Sequence, residues 1–294
     1  MASPIPLGGF ALHEIEEITD STVDPLFLLP SLTRETIERH AGWLAPHYYD
    51  PASGTFILVI RSWLLRTPTH NILIDTCCGN DKPRPYFPPA DRLNAPYLDR
   101  LKQAGCSPDD IDFVMCTHLH VDHCGWNTRL ENGRWVPTFR KARHIFSRTE
   151  CEAWGPGAAG ERPLVAQPDV YEDSVAPVIA AGLAELIDGV FSPLAGLSIE
   201  PAPGHSPGHC LIRAESGGTT GLFTGDVMHH PIQIAAPGLN SAFCSDPAQA
   251  ARTRRRVLTE CAEHGHLLVP AHFPTPAFGR VEAVANGFGF RPGL

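Results

Sequence analysis

Residues 116–126 read CTHLHVDHCGW, which places His118, His120, Asp122 and His123 within six positions. On extended backbone, residues two apart point the same way, so His118, His120 and Asp122 share one side while His123 faces elsewhere. A loop built like this can gather all four groups around one metal ion or divide them between two. Imidazole with carboxylate suits Zn and also Fe, Mn or Co, and no cysteine lies inside the HLHVDH core of the stretch. Surface histidines in a polar turn would explain one or two of these residues but not four in such a short span.

Outward from this stretch, apolar runs end repeatedly in groups of the same chemistry. FVMCT (113–117) leads into the histidine loop, and LSIEPAPGH (197–205), GLFTGD (221–226) and HLLVPAH (266–272) each end in His or Asp. Upstream, TFILVIRSWLL (55–65) and HNILIDT (70–76) flank the turn-forming RTPT and read as a hairpin. DRLNAPYLDRLKQAG (91–105) reads as a helix stopped by Gly105, and Asn132-Gly133 as a tight turn. A second helix is expected over about 170–185 and a third over 246–265, with Asp246 as N-cap and Pro247 at the first helical position. Residues 1–54 read as an irregular, proline-rich segment decorating a main domain of 55–294, with one helix near Leu32–His40 whose start is signalled by Ser31. The Gly/Pro-dense stretch 155–168 is long enough to be a lid. Strands mixed with helices in this way indicate a layered α/β protein.

Composition narrows the function classes. With 43% hydrophobic and 19% charged residues the 294-residue chain can bury a sizeable core. A net charge of −9 works against binding nucleic-acid phosphates or an anionic membrane, and no stretch approaches the length of a membrane helix. A small neutral substrate and a cytoplasmic location are expected, with a homodimer left open. Nine scattered cysteines, an odd number, read as reduced thiols rather than a disulfide scaffold.

Taken together, HLHVDH, PGHSPGH (203–209), TGD (224–226) and PAH (270–272), in this order, resemble the metallo-β-lactamase-fold hydrolases from about residue 55 to the C-terminus. The resemblance implies an αββα sandwich: two mixed sheets face to face, with helices on the outer faces and metals at one edge. It implies one ion held by His118, His120 and His205 and a second by Asp122, His123 and His272, with Asp226 bridging. His209 would be structural, and Asp75 would support the metal loop from behind. Two divalent ions, zinc by preference, would share a water and bring its pKa toward ~7, giving a hydroxide nucleophile, with Asp122 or Asp226 moving the proton. The C-terminal HFPTPAFGRVEAVANGFGFRP is similar to the methyl-parathion-hydrolase-like branch and its lactonase and arylesterase neighbours. That similarity implies cleavage of a carboxylic ester or lactone, with phosphotriester cleavage or a mononuclear iron oxidoreductase such as a persulfide dioxygenase as alternatives. Lactonases of the superfamily carry a tyrosine three residues after the bridging Asp, whereas here the position is His229, followed by His230. His229 is expected to act on the substrate as a donor, and His230, Trp126 and Phe273 to line its pocket.

Overall fold

The apolar runs become strands whose successive side chains enter different hydrophobic layers. In Thr55–Arg66, Trp63 and Leu65 pack into one core cluster and Leu64 into another; in Asn71–Ile74, Ile72 and Ile74 separate from Leu73 in the same way. Met115 parts from Val114, and Ile145 from Phe146. From the second half of the chain, Ile212, Phe223, Leu267 and Val269 join the cluster of Trp63 and Ile72, while Leu211, Leu222 and Leu268 turn away from it. Strands buried on both faces read as continuous apolar runs, which is why these segments lack the polar alternation of a half-exposed sheet.

The shared cluster is the layer between two sheets. The computed structural model describes residues 4–158, 163–285 and 287–294. Among these residues, the first sheet has eight strands, in the order Ile5–Leu7, Phe10–Val23, Thr55–Arg66, Asn71–Ile74, Phe113–Met115, Arg143–Ser147 and Ala184–Ile187, with Tyr49–Asp50 pairing Thr55–Arg66. The second has seven and follows chain order from Phe191–Leu194 to Gly287–Pro292. Both mix parallel and antiparallel pairs. Tyr97 and Leu101 of the helix Tyr97–Gln103 cover the outer face of the first sheet. Val257, Leu258 and Cys261 of the helix Pro247–His264 cover that of the second. The architecture is an αββα sandwich.

Several local expectations are corrected. Of the expected irregular decoration 1–54, residues 1–3 lie outside the described residues, and the rest is not irregular: Phe10–Val23 is a fourteen-residue strand paired antiparallel with Thr55–Arg66, inside the first sheet. Its period of two is broken where the register shifts between Glu16 and Ile18, so no simple alternation marks it. The helix that follows spans Arg34–Leu44 and is capped by Thr33, whose side chain accepts from the Thr36 N–H, rather than by Ser31. The expected 91–105 helix is shortened to Tyr97–Gln103, because Pro96 disfavours helical backbone at Ala95. The expected 170–185 helix is two short ones, Pro168–Ser174 and Ala176–Ala180, followed by the strand Ala184–Ile187. Pro177 lacks the N–H a continuous helix would need, and Gly182 at φ 72° ends the second. Of the proposed lid, residues 159–162 lie outside the described residues.

Candidate metal centre

Four loops at one end of the sandwich carry the motif residues. They follow the strands Phe113–Met115, Leu197–Pro201, Thr219–Gly225 and Leu267–Pro270. A sheet edge holds such loops in fixed relation while leaving their side chains free to converge. Gly225 shows how tight the convergence is: its φ is 47°, and a Cβ there would lie 2.6 Å from Thr117 Oγ1 and 2.9 Å from His209 Nε2.

Two groups of candidate ligands result, His118, His120, His205 and Asp226 in one, Asp122, His123 and His272 in the other. In the first, His118 Nε2 and His205 Nε2 lie 3.0 and 2.9 Å from His120 Nδ1. The three ring nitrogens therefore converge on one point. Asp226 divides its carboxylate between the groups. Oδ2 is 3.2 Å from His205 Nε2 and 3.7 Å from His118 Nε2, while Oδ1 is 2.9 Å from His272 Nε2 and 3.2 Å from His123 Nε2. Asp122 closes the second group, 3.6 Å from His272 Nε2 and 3.7 Å from His123 Nε2.

The far sides of the rings set their tautomers. His123 Nδ1 donates to Asp75 Oδ2 at 2.9 Å and His272 Nδ1 to the Val59 carbonyl at 2.9 Å, which aims each Nε2 inward. Asp75 also accepts from the Thr117 N–H at 2.7 Å, tying the start of the histidine loop to the strand before it. His209 stays outside both groups, and its Nε2 accepts the backbone N–H of Asp226 at 3.0 Å.

Charge follows the same division. Burial above all holds His118 and His205 well below the ordinary histidine value and pushes His120 down to about 3, so these rings are neutral. Burial would lower His123 and His272 too, but the Asp226 and Asp122 carboxylates outweigh it and raise both. Asp226, despite burial, is held well below the carboxylate range by the surrounding imidazoles. Buried His123 Nε2 and Asp226 Oδ1 have no hydrogen-bond partner among the described residues. A divalent cation in place of the ring protons would satisfy both atoms, and the donor set of imidazoles and carboxylates fits Zn, Fe, Mn or Co.

A cavity of about 350 Å³ opens onto this centre. His120, Asp122, His205, Asp226, His229 and His272 form its floor, and the walls are mostly apolar, including Ile18, Val23, Leu58, Ile60, Phe87 and Phe243.

The family model described as the metallo-beta-lactamase superfamily matches residues 57–272. The chain belongs to the metallo-beta-lactamase superfamily. Among curated proteins it is similar to the N-acyl homoserine lactonase AiiB of Agrobacterium fabrum, 36% identical over 96 residues, covering 29% of this chain and 35% of that protein. The chain thus spans about a third of the length of that relative. Among solved structures, the hydrolase AbOPH of the beta-lactamase superfamily aligns with TM-score 0.81 at 22% identity, over 99% of this chain and 97% of that one. AidC, described as a dizinc quorum-quenching lactonase in complex with a product, aligns with TM-score 0.80 at 21% identity, with coverage of 99% and 97%. At such identity the likeness is one of fold.

As a superfamily member the chain keeps its motif residues at the centre, but three of the expected pocket residues lie elsewhere. Phe273 is fully buried, edge-on to Tyr48 and Phe290. It follows His272 directly, so with His272 turned inward it faces the opposite way. His230 likewise follows His229: it stacks on Phe56 at 3.6 Å and donates Nε2–H to the Tyr48 carbonyl at 2.9 Å. Trp126 stacks on Tyr97 at 5.0 Å and donates its indole N–H to Glu17. None of the three lines the cavity. His229 does line it, with Nε2 3.2 Å from Asp226 Oδ2.

Sequence reasoning missed the groups that hold the loops. The Glu17 carboxylate accepts from the N–H groups of Cys78 and Gly79 and from Trp126. The Arg61 guanidinium donates to the carbonyls of Ala271 and Phe273, on either side of His272. Glu150 joins two of the histidine loops. Only Arg61 carries a signal in the sequence, as a charge inside the apolar run 55–65; Glu17 lies among Glu14 and Glu16, and Glu150 shares its helix with Glu152, so neither stands out.

Proposed function

We propose that the protein is a dinuclear metal-dependent hydrolase, most simply a zinc enzyme, that cleaves a carboxylic ester or lactone of a small, largely apolar substrate. The observation that carries this reading is the division of Asp226, with one carboxylate oxygen turned to each ligand group at the floor of an apolar cavity. Two ion positions served by one carboxylate favour hydrolysis over a mononuclear iron oxidoreductase.

Two bound divalent ions would supply Lewis acidity and a water of lowered pKa. His118, His120 and His205 would hold one, Asp122, His123 and His272 the other, and Asp226 would touch both. The rest falls to the chain. Apolar walls exclude bulk water and hold the acyl or aryl part, so that the scissile carbonyl sits over the floor. Asp122, the most open of the floor carboxylates, is placed to take a proton and return it to the departing oxygen. His229 is kept neutral by burial; its Nε2 lies 3.2 Å from Asp226 Oδ2, and its Nδ1 has no hydrogen-bond partner among the described residues. It can therefore give an N–H to the carbonyl oxygen as negative charge develops there. No serine nucleophile is required, since the Ser206 hydroxyl is committed to Glu150 at 2.6 Å. All nine cysteines are free, which fits a reducing, cytoplasmic setting.

The test is a panel of lactones, aryl esters, thioesters, β-lactams and phosphotriesters with metal content measured on the same sample. Two ions per chain with turnover of esters or lactones is expected. Turnover confined to phosphotriesters or β-lactams, or a single iron with oxygen uptake, would overturn the assignment. In His229→Ala the reading predicts kcat/KM lower by ~100-fold at unchanged metal content, the loss typical of one oxyanion donor.

A further inference from the structure

We infer that Glu150 is a positioning residue for the ion held by His118, His120 and His205, and that it acts through the two loops that carry them; the inference rests on the metal-centre reading above. Glu150 lies on the helix Arg148–Trp154, has no exposed surface, and belongs to none of the metal motifs. Its carboxylate accepts four hydrogen bonds. Oε1 takes the Ser206 hydroxyl at 2.6 Å and the Gly208 N–H at 2.7 Å; Oε2 takes the Leu119 N–H at 3.1 Å and the Trp154 indole N–H at 2.7 Å.

The positions of these donors give the carboxylate its role. Leu119 stands between His118 and His120, and Ser206 follows His205, so three of the four bonds lock the backbone beside all three histidines of one ligand group. Among the described residues, only the Cys210 N–H to Thr117 carbonyl bond, at 2.8 Å, joins the same loops through the backbone. The absence of a side chain at residue 208 is part of the arrangement, because a Cβ there would lie 2.6 Å from the Glu150 backbone nitrogen and 2.7 Å from Ser147 Oγ. The second group is reached differently, through Asp75 behind His123 and the Val59 carbonyl behind His272. Glu150 touches neither.

A carboxylate is the group this place demands. It offers acceptors only, and four donors face it. An amide would turn an NH2 toward donors and lose the bonds on one of its two ends. The loops would then hold His205 against His118 and His120 less firmly. Partners one shell behind a metal typically govern ~10–100-fold in affinity.

The experiment is competition between the protein and a chromophoric zinc chelator, on wild type, Glu150→Gln, Ser206→Ala, His205→Ala, His272→Ala and Asp173→Asn. Asp173, buried, paired with Lys82 and Arg84 and without a hydrogen bond to either ligand loop among the described residues, controls for a general loss of stability. In Glu150→Gln one of two binding steps should weaken ~10–100-fold, and it should be the step His205→Ala removes, not the one His272→Ala removes. Asp173→Asn should melt earlier with both steps intact. Wild-type zinc affinity at both steps in Glu150→Gln, with only its melting temperature lowered, would overturn the inference. If Glu150→Gln does not fold, Ser206→Ala decides, by a several-fold loss at the same step or by none. A wild-type protein that binds no zinc would instead sink the metal-centre reading itself, a distinct outcome.

Discussion

Replacing Arg61 by methionine should destabilise the protein and weaken its hold on one ion. Arg61 is 2% exposed, and its guanidinium sits 3.5 Å from Glu14 Oε2 and donates to the carbonyls of Ala271 and Phe273. Methionine keeps much of the apolar stem but leaves both carbonyls without that donor. Each dry acceptor costs about 1–3 kcal/mol, so the pair amounts to roughly 2–6 kcal/mol, which spans the range for breaking a buried charged contact. Glu14 adds little, because it reaches solvent. For a chain of this size the melting temperature should drop by about 5–15 °C. The two carbonyls bracket His272, so the site should respond as well. A tenfold weaker ion removes a further ~1.4 kcal/mol from the loaded protein but nothing from the stripped one. Thermal unfolding followed by circular dichroism, with zinc and with chelator, separates the two effects. The drop should be present in both states and larger with zinc. Melting within a degree of wild type in both states would refute the reasoning, and an equal drop in both would remove the link to His272.

Asp226→Asn turns an NH2 toward one ligand group, so metal analysis should find about one ion per chain instead of two, and two retained ions with undiminished turnover would rule out bridging. Phe243→Ala opens the cavity wall beside His229, which should raise KM for long-chain esters by ~10-fold or more while leaving short ones nearly unaffected; equal changes for both would remove Phe243 from the substrate wall. Burial lifts the Glu17 carboxyl from 4.5 to about 7 against donors that favour its charged form. The folded protein therefore keeps a proton that the unfolded chain releases between those values, and this stabilisation, full below 4.5, is lost as pH rises through 7. Relative to Glu17→Gln, wild type should lose roughly 3 kcal/mol of unfolding free energy across that window in urea titrations, and parallel profiles would contradict the shift.

The grouping of the centre was legible because its chemistry is carried by side-chain type and spacing. His118 through His123 sit after an apolar run, and His205, Asp226 and His272 each end another, so strand ends and ligands were read together. The layers were legible for the same reason, since runs such as Ile57 to Leu65, apolar except at Arg61 and Ser62, require partners on both faces. Adjacency to a ligand, however, proved the wrong rule for the cavity wall: at His229–His230 and His272–Phe273 the neighbour of the inward residue turns away from the cavity, which puts Phe273 and His230 in the core behind the site. The actual wall comes largely from residues distant in sequence, among them Ile18 and Val23 on a strand whose register shift hides its period.

The roles of Glu17, Arg61 and Glu150 were illegible for a different reason: most of their partners are backbone amides and carbonyls, which leave no trace in residue identity. Their placement nonetheless follows from a general difficulty. Loops that carry a site must be buried to exclude water, yet outside helices and sheets their backbone groups lack regular partners, and each one left dry is costly. A single carboxylate can absorb several N–H groups and a single guanidinium several carbonyls, so one buried charge can satisfy a stretch of irregular chain that no array of neutral side chains of the same volume could. All three charges come from regular elements: two from paired strands of the first sheet and one from a helix that begins as a strand of that sheet ends. The sandwich therefore positions the centre twice, once through the strand ends that carry the ligands and again through charges sent from neighbouring elements to the loops between them.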